Sequence, residues 1–224
     1  MSIAHLMLRP SGPRLELEKG VFVKITRGFG GRGHAVRDPR LPPGQYDTGS
    51  TWPVLSEEAT PHLATASWTF TVEGLVAQPV TWSWDEIHAL PQAGYEGDIH
   101  CVTTWSKLGV HFAGVSVDTL LAAAEPLPEA SHVLAFSHTG YTTNLPLADV
   151  TGNKAWVVWA YEGRPLQDEH GGPARLLVPH LYFWKSAKWV AGLRVLDHDE
   201  KGFWEVNGYH DRGDPWLEQR YQGD

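Results

Sequence analysis

HGGPARLLVPHLYFWKSAKWVAGLRVL, residues 170–196, holds two short apolar runs, ARLLVP from 174 and VAGLRVLD from 190. Runs of this length and composition read as β-strands. Working outward, SWTFTVEGLV (67–76) alternates like a half-buried strand, and SWDEIHAL (83–90) reads as a short helix with Ser83 and Glu86 spaced as a capping box. GDIHCVTTW (97–105) is a strand running into a turn, and VSVDTLLAAAE (115–125) is an amphipathic helix ended by Pro126. SHVLAFSHTGYTTNLPL (131–147) offers two strands around a glycine turn, and AWVVWAYEGRPL (155–166) is an apolar strand leading into another turn. Short strands and short helices mix without the regular alternation of a doubly wound sheet. The fold class is therefore α+β, with mixed β-sheets and short helices in a single domain.

The domain is expected over residues 41–224, after an extended N-terminal arm over 1–40. The glycine- and proline-rich run up to residue 66 reads as lying along the body, held by Trp52, Val54 and Leu55. The arm carries a literal G-x-G-x-x-G at Gly28, Gly30 and Gly33. A dinucleotide site needs a helix directly after that motif, and the prolines of HAVRDPRLPPG forbid one.

Composition narrows the function classes. A formal net charge of −8 speaks against nucleic acid or an anionic membrane as partner. No apolar run approaches the roughly 20 residues of a membrane span. The first twenty residues do not read as a secretory signal, so a cytoplasmic location is expected. The single cysteine, Cys101, excludes an internal disulfide. Twelve histidines are scattered without the spacing of a zinc site.

Two features carry chemistry. Cys101 ends a strand, and the thiol is open to three readings: apolar filling, a nucleophile, or a soft ligand for a metal. A nucleophile needs a histidine base, and strand alternation points His100 to the opposite face. The second feature is the 170–196 stretch, which contains Arg175, Lys185, Lys188 and Arg194 and no acidic residue. In an acidic chain that is a positive island. Its spacing turns at least one lysine inward, where a cation requires an anionic partner. An anionic cofactor fits it better than a solvated strand edge does, because arginine grips phosphate through two parallel hydrogen bonds.

DIHCVTTWS (98–106) followed by HFAGVSVDTLL (111–121) resembles the molybdopterin-binding domain of the sulfite oxidase superfamily. HGGPARLLVPHLYFWKSAKWVAGLRVL resembles that family's cofactor-phosphate segment, and GFWEVNGYHDRGDPWLEQRY (202–221) resembles the closing segment of its small bacterial members. The resemblance implies a sulfite-oxidase-type fold and one molybdenum–molybdopterin cofactor. It implies that Cys101 supplies a thiolate to the metal. It further implies that Arg175, Lys188 and the backbone of Ser186 and Ala187 cradle the pterin phosphate. His170 stands at a cofactor-contacting position, and His138 falls near another.

The chain also departs from the family. Val102, Thr103 and Thr104 follow the cysteine, where animal and plant sulfite oxidases place sulfite-binding arginines. The immunoglobulin-like dimerisation domain and a haem domain are not expected. The implied activity is two-electron oxygen-atom transfer on a small oxyanion or an S- or N-oxide, with electrons exchanged through an external redox partner. A non-catalytic cofactor carrier, and a thiol- and histidine-dependent hydrolase without molybdenum, are the alternatives.

Overall fold

The structure, a computed structural model, describes residues 38–224. Residues Arg37–Asp224 form one compact unit. The glycine triad and all but the last residues of the expected arm lie outside the described residues.

Two mixed sheets build the body. In the first, the long strand β5 (Trp105–Ser116) pairs antiparallel along one edge with β4 (Ala93–His100). Its other edge takes the short parallel β1 (Tyr46–Asp47) at one end and the antiparallel β8 (Trp156–Tyr161) at the other. β8 in turn pairs with β9 (Arg164–Pro165) and β10 (Arg175–Leu177). The second sheet runs β3-β2-β11-β6-β7: Val80–Ser83, Thr69–Gly74, Val190–Leu196, His132–Ser137 and Thr142–Pro146. The β11–β2 pair is parallel and the other pairs of that sheet are antiparallel. This is the mixed α+β arrangement expected from the sequence.

Local chemistry explains the short helices. α1 (Trp84–Ala89) starts at a capping box: Glu86 N–H donates to Ser83 Oγ, and Ser83 N–H donates back to the Glu86 carboxylate at 2.8 Å. α2 (Val117–Ala124) buries Val117, Leu120, Leu121 and Ala124, the i, i+3, i+4, i+7 stripe of an amphipathic helix. It stops at Glu125, which adopts a left-handed conformation just before Pro126. α3 (Leu147–Val150) and α4 (Phe203–Val206) are single turns. Among the described residues no helix is long and apolar enough to cross a membrane.

The main core joins the second sheet and α2 to inner residues of the first sheet such as Val115, Val157 and Leu176, with Phe70, Val72, Leu120 and Leu193 fully enclosed. A smaller core on the first sheet gathers Ile99, Trp105, Phe112, Leu177 and Phe183, and it includes Cys101. The thiol therefore stands on packed side chains at the end of a strand, on a rigid platform.

Candidate functional site

Four residues, 101–104, turn the chain from β4 into β5. Cys101 N–H donates to Trp105 O at 2.8 Å and Thr104 N–H to Cys101 O at 3.0 Å. Thr104 takes φ 77°, a left-handed conformation that a β-branched side chain resists. Tertiary contacts hold it there. Gln45 donates to Cys101 O at 3.0 Å, Tyr46 N–H donates to Thr104 O at 3.0 Å, and the Arg220 guanidinium donates to Val102 O. The Cys101 Sγ is fixed, 3.2 Å from the Thr103 hydroxyl.

Burial pushes the Cys101 thiol up; bonds to the Thr103 side chain and to the Thr103 and Val102 backbone pull the other way without reversing it. An unmetallated thiol there stays protonated near neutral pH. His100 points away as strand alternation requires. Its Nδ1 is 2.8 Å from Ser106 Oγ, and burial pushes its pKa down to about 4. Thr103 Oγ1 is the one side-chain group within hydrogen-bond distance of Cys101 Sγ among the described residues. The nucleophile–base pair that a thiol hydrolase needs is absent from them.

The floor facing the thiol comes from the 170–196 stretch. Gly171 has φ 102°, and a Cβ there would lie 3.0 Å from Lys188 Cα and 3.1 Å from Arg175 Cβ. Only glycine allows that close approach. Arg175 is 1% exposed and donates to His170 O at 2.8 Å and Ser186 O at 2.6 Å, with its guanidinium 4.0 Å from the centre of the Phe183 ring. Lys188 Nζ donates to Leu55 O at 2.8 Å and Glu169 O at 2.6 Å. Their acceptors are carbonyls, and neither cation has a carboxylate within ion-pair distance among the described residues. Ala187 and Lys188 N–H find no acceptor in the described chain. Ser186 N–H is taken by Phe183 O at 3.2 Å, and the Ser186 hydroxyl accepts from Val178 N–H at 2.8 Å, so Ser186 braces the floor.

The charges on this floor oppose one another. Burial lowers Arg175 to about 9. Burial, then the Arg175 charge, lowers Lys188 to about 8. Burial, then Arg175 and Lys188, lowers His170 to about 4. Cations crowded together beside open N–H groups, with Glu169 and Glu58 acting on Lys188 only at a distance and no carboxylate paired to either cation, form an anion site.

Aromatic walls complete a cleft of about 200 Å³. Trp52 stacks on His170 with ring centres 3.8 Å apart, and Trp105, Trp184 and Trp189 line the sides. Cys101, His170, Arg175, Ser186, Ala187 and Lys188 all border this cleft, although 69 positions separate Cys101 from His170. His138 does not border it. Its Nε2 donates to Thr69 O at 3.1 Å, just past the end of β6 and at the start of β2.

The inward-facing lysine of YFWKSAKW is Lys185, and its partner is internal. Lys185 Nζ lies 2.7 Å from Glu205 Oε1 and donates to Asn144 and Asp211 carbonyls. Of the arm's expected anchors, Trp52 packs, whereas Val54 and Leu55 stay about half exposed. Sequence reasoning missed Glu57, Glu58, Tyr141 and Tyr209 as cleft residues. The aromatic tail was a signal for the last of them.

The donor set suits a pterin-dithiolene molybdenum cofactor: a soft sulfur on a rigid turn opposite a built phosphate site. Among solved structures, the sulfane dehydrogenase SoxCD of Paracoccus pantotrophus shares the fold, with a TM-score of 0.58 at 21% identity over 62% of this chain and 41% of that one. The chain is 41% identical over 197 residues to the uncharacterized oxidoreductase YuiH of Bacillus subtilis (strain 168), covering 88% of this chain and 99% of that protein. It is 27% identical over 157 residues to the protein-methionine-sulfoxide reductase catalytic subunit MsrP of Gluconobacter oxydans, covering 61% of this chain and 49% of that protein. The chain thus spans about half the length of that reductase. The family model for the oxidoreductase molybdopterin binding domain matches residues 57–204. With that match across most of its length, this chain belongs to the molybdopterin-binding oxidoreductases of the sulfite oxidase superfamily.

Proposed function

We propose that this oxidoreductase performs two-electron oxygen-atom transfer at a molybdenum–molybdopterin centre ligated by Cys101. The observation that carries the reading is the convergence of Cys101 with His170, Arg175 and Lys188 on one cleft. When bound, the cofactor supplies the two-electron chemistry, and the chain supplies binding, orientation and access.

Cys101 gives up its proton on ligation, which offsets the burial that keeps it protonated when free. The Thr103 hydroxyl, 3.2 Å away, tunes the donor strength of the sulfur. Arg175, Lys188 and the Ala187 N–H hold the phosphate, and Ser186 and His170 fix the floor beneath it. The indole walls exclude water. An external redox partner exchanges the electrons. The substrate is a small sulfur or nitrogen compound able to give or take one oxygen.

The test is elemental and pterin analysis of protein made in a host that synthesises the cofactor. Close to one molybdenum per chain is expected in the wild type. Cys101→Ala should fold yet lose the thiolate-to-metal absorption and turnover of S- and N-oxides. A metal-free wild type with thiol-dependent hydrolytic activity would overturn the reading.

A further inference from the structure

The mouth of the cleft differs in charge from its floor. The exposed Glu57 and the half-buried Glu58 line the cleft on its solvent side, whereas Arg175 is buried, and Trp204 and Tyr209 from the C-terminal tail line it as well. Glu58 accepts from the Thr139 hydroxyl at 2.6 Å, and neither carboxylate is in an ion pair within the described residues. Trp204 and Tyr209 have ring centres 4.6 Å apart, and Tyr209 meets Trp184 edge-on at 5.2 Å. Tyr209 thus borders the same cleft as Cys101 and Glu57.

A phosphate on the floor carries close to two negative charges, which match Arg175 and Lys188. The loaded cleft then retains two uncompensated carboxylates at its entrance. Arg220 does not relieve them: it is not a lining residue and is committed to Val102 O and the Tyr182 ring, 5.0 Å away. Val102, Thr103 and Thr104 carry no cation, and the Arg220 charge that reaches Cys101 comes from outside the cleft lining. A low-dielectric funnel with anionic lips repels anions and concentrates cations, and the half-buried indole and phenol rings that line it attract the latter further.

We propose that this lip selects heteroatom oxides that are uncharged or cationic and borne on an apolar group, and turns anionic ones away. The inference rests on the oxygen-transfer reading and names the substrate class of that site.

Three aryl methyl sulfoxides test it, differing only in the para substituent: trimethylammonium, hydrogen or sulfonate. Holoenzyme is reduced with dithionite, freed of excess reductant and mixed with each. Every turnover breaks one S–O bond, consumes the enzyme's two electrons and two protons, and yields the sulfide and water. The cationic oxide should reoxidise the enzyme on the order of tenfold faster than the sulfonate at low salt, with the neutral one between. High salt should shrink the ratio.

A binding readout needs no turnover: quenching of tryptophan fluorescence by benzyltrimethylammonium and by benzenesulfonate should show the same order of affinity. Glu57→Gln with Glu58→Gln should bring both ratios to within about twofold, and Trp204→Ala should weaken the ammonium probe selectively. Turnover without charge discrimination, or discrimination that survives the double variant, would overturn the inference and leave the oxygen-transfer reading intact. Molybdenum-loaded enzyme that none of the three oxides reoxidises would reject both the inference and sulfoxide reduction as the direction of transfer.

Discussion

At the scale of single residues, Arg175 is the least replaceable side chain of the floor. Its bonds to His170 O and Ser186 O tie the two halves of the anion site together. Arg175→Lys keeps the charge but cannot span both carbonyls with a planar fork. It should fold, lose about 1–3 kcal/mol of stability in urea titrations through one unsatisfied buried carbonyl, and shed molybdenum on dialysis faster than wild type. Lys201→Ala is the control, because Lys201 pairs with Asp211 at 3.0 Å and does not line the cleft. Equal metal retention in the two variants would remove Arg175 from the phosphate site. Composition marked a lone thiol and an acid-free run with four cations, and the family resemblance singled out Cys101, Arg175 and Lys188 among them. Glu205, the partner of Lys185, was not legible, since 20 positions separate them and only tertiary folding brings the tail beneath Trp184. Glu57 and Glu58 escaped for a similar reason. They lie in a segment without regular structure, whose position is set by Trp52 docking on His170.

At the scale of elements, the legible ones were those with local causes. The alternation of β2, the capping box of α1 and the apolar stripe of α2 are written in consecutive residues. β5 was not legible: the strand read in GDIHCVTTW is the end of β4, and its turn stops at the first residue of β5. Gly109 and Gly114 interrupt its pattern, and three neighbouring strands rather than propensity keep it extended. A Cβ on Gly114 would lie 2.0 Å from Val157 O, so glycine there records the close approach of β8. The same logic gives a prediction for β11, which lies between β2 and β6 and follows directly on the floor residue Lys188 and on Trp189. At Gly192 a Cβ would meet Thr71 O at 2.2 Å and the Phe136 ring at 2.4 Å. Gly192→Ala should cost about 1–3 kcal/mol, read as a lower urea midpoint. A midpoint equal to wild type would show that the sheet opens there without strain.

At the scale of the whole molecule, the site leaves its mark on acid stability. His100 and His170 both have folded pKa values of about 4, against an ordinary value near 6.5, mainly because burial disfavours their charged forms. Between those limits the unfolded chain binds protons that the folded chain refuses. Stability therefore falls as pH drops from about 6.5 towards 4 and is insensitive to these two groups above that window. His198 works the other way, since Asp197 raises its pKa, but it is fully exposed and its contribution is screened by solvent. The depressed Asp149 carboxyl, held by His180 and Arg212 against its own desolvation, loses its contribution only at still lower pH. Cofactor-free protein should show a falling thermal midpoint across the window, and His100→Asn should flatten it by about half if the two histidines share the proton uptake. Millimolar pyrophosphate should restore the midpoint more at pH 5 than at pH 8. An anion on the floor cancels the Arg175 and Lys188 charges that add to burial in keeping His170 neutral, and a protonated His170 then adds to the anion's affinity. A pyrophosphate effect independent of pH would place the anion away from His170, and with it the phosphate site.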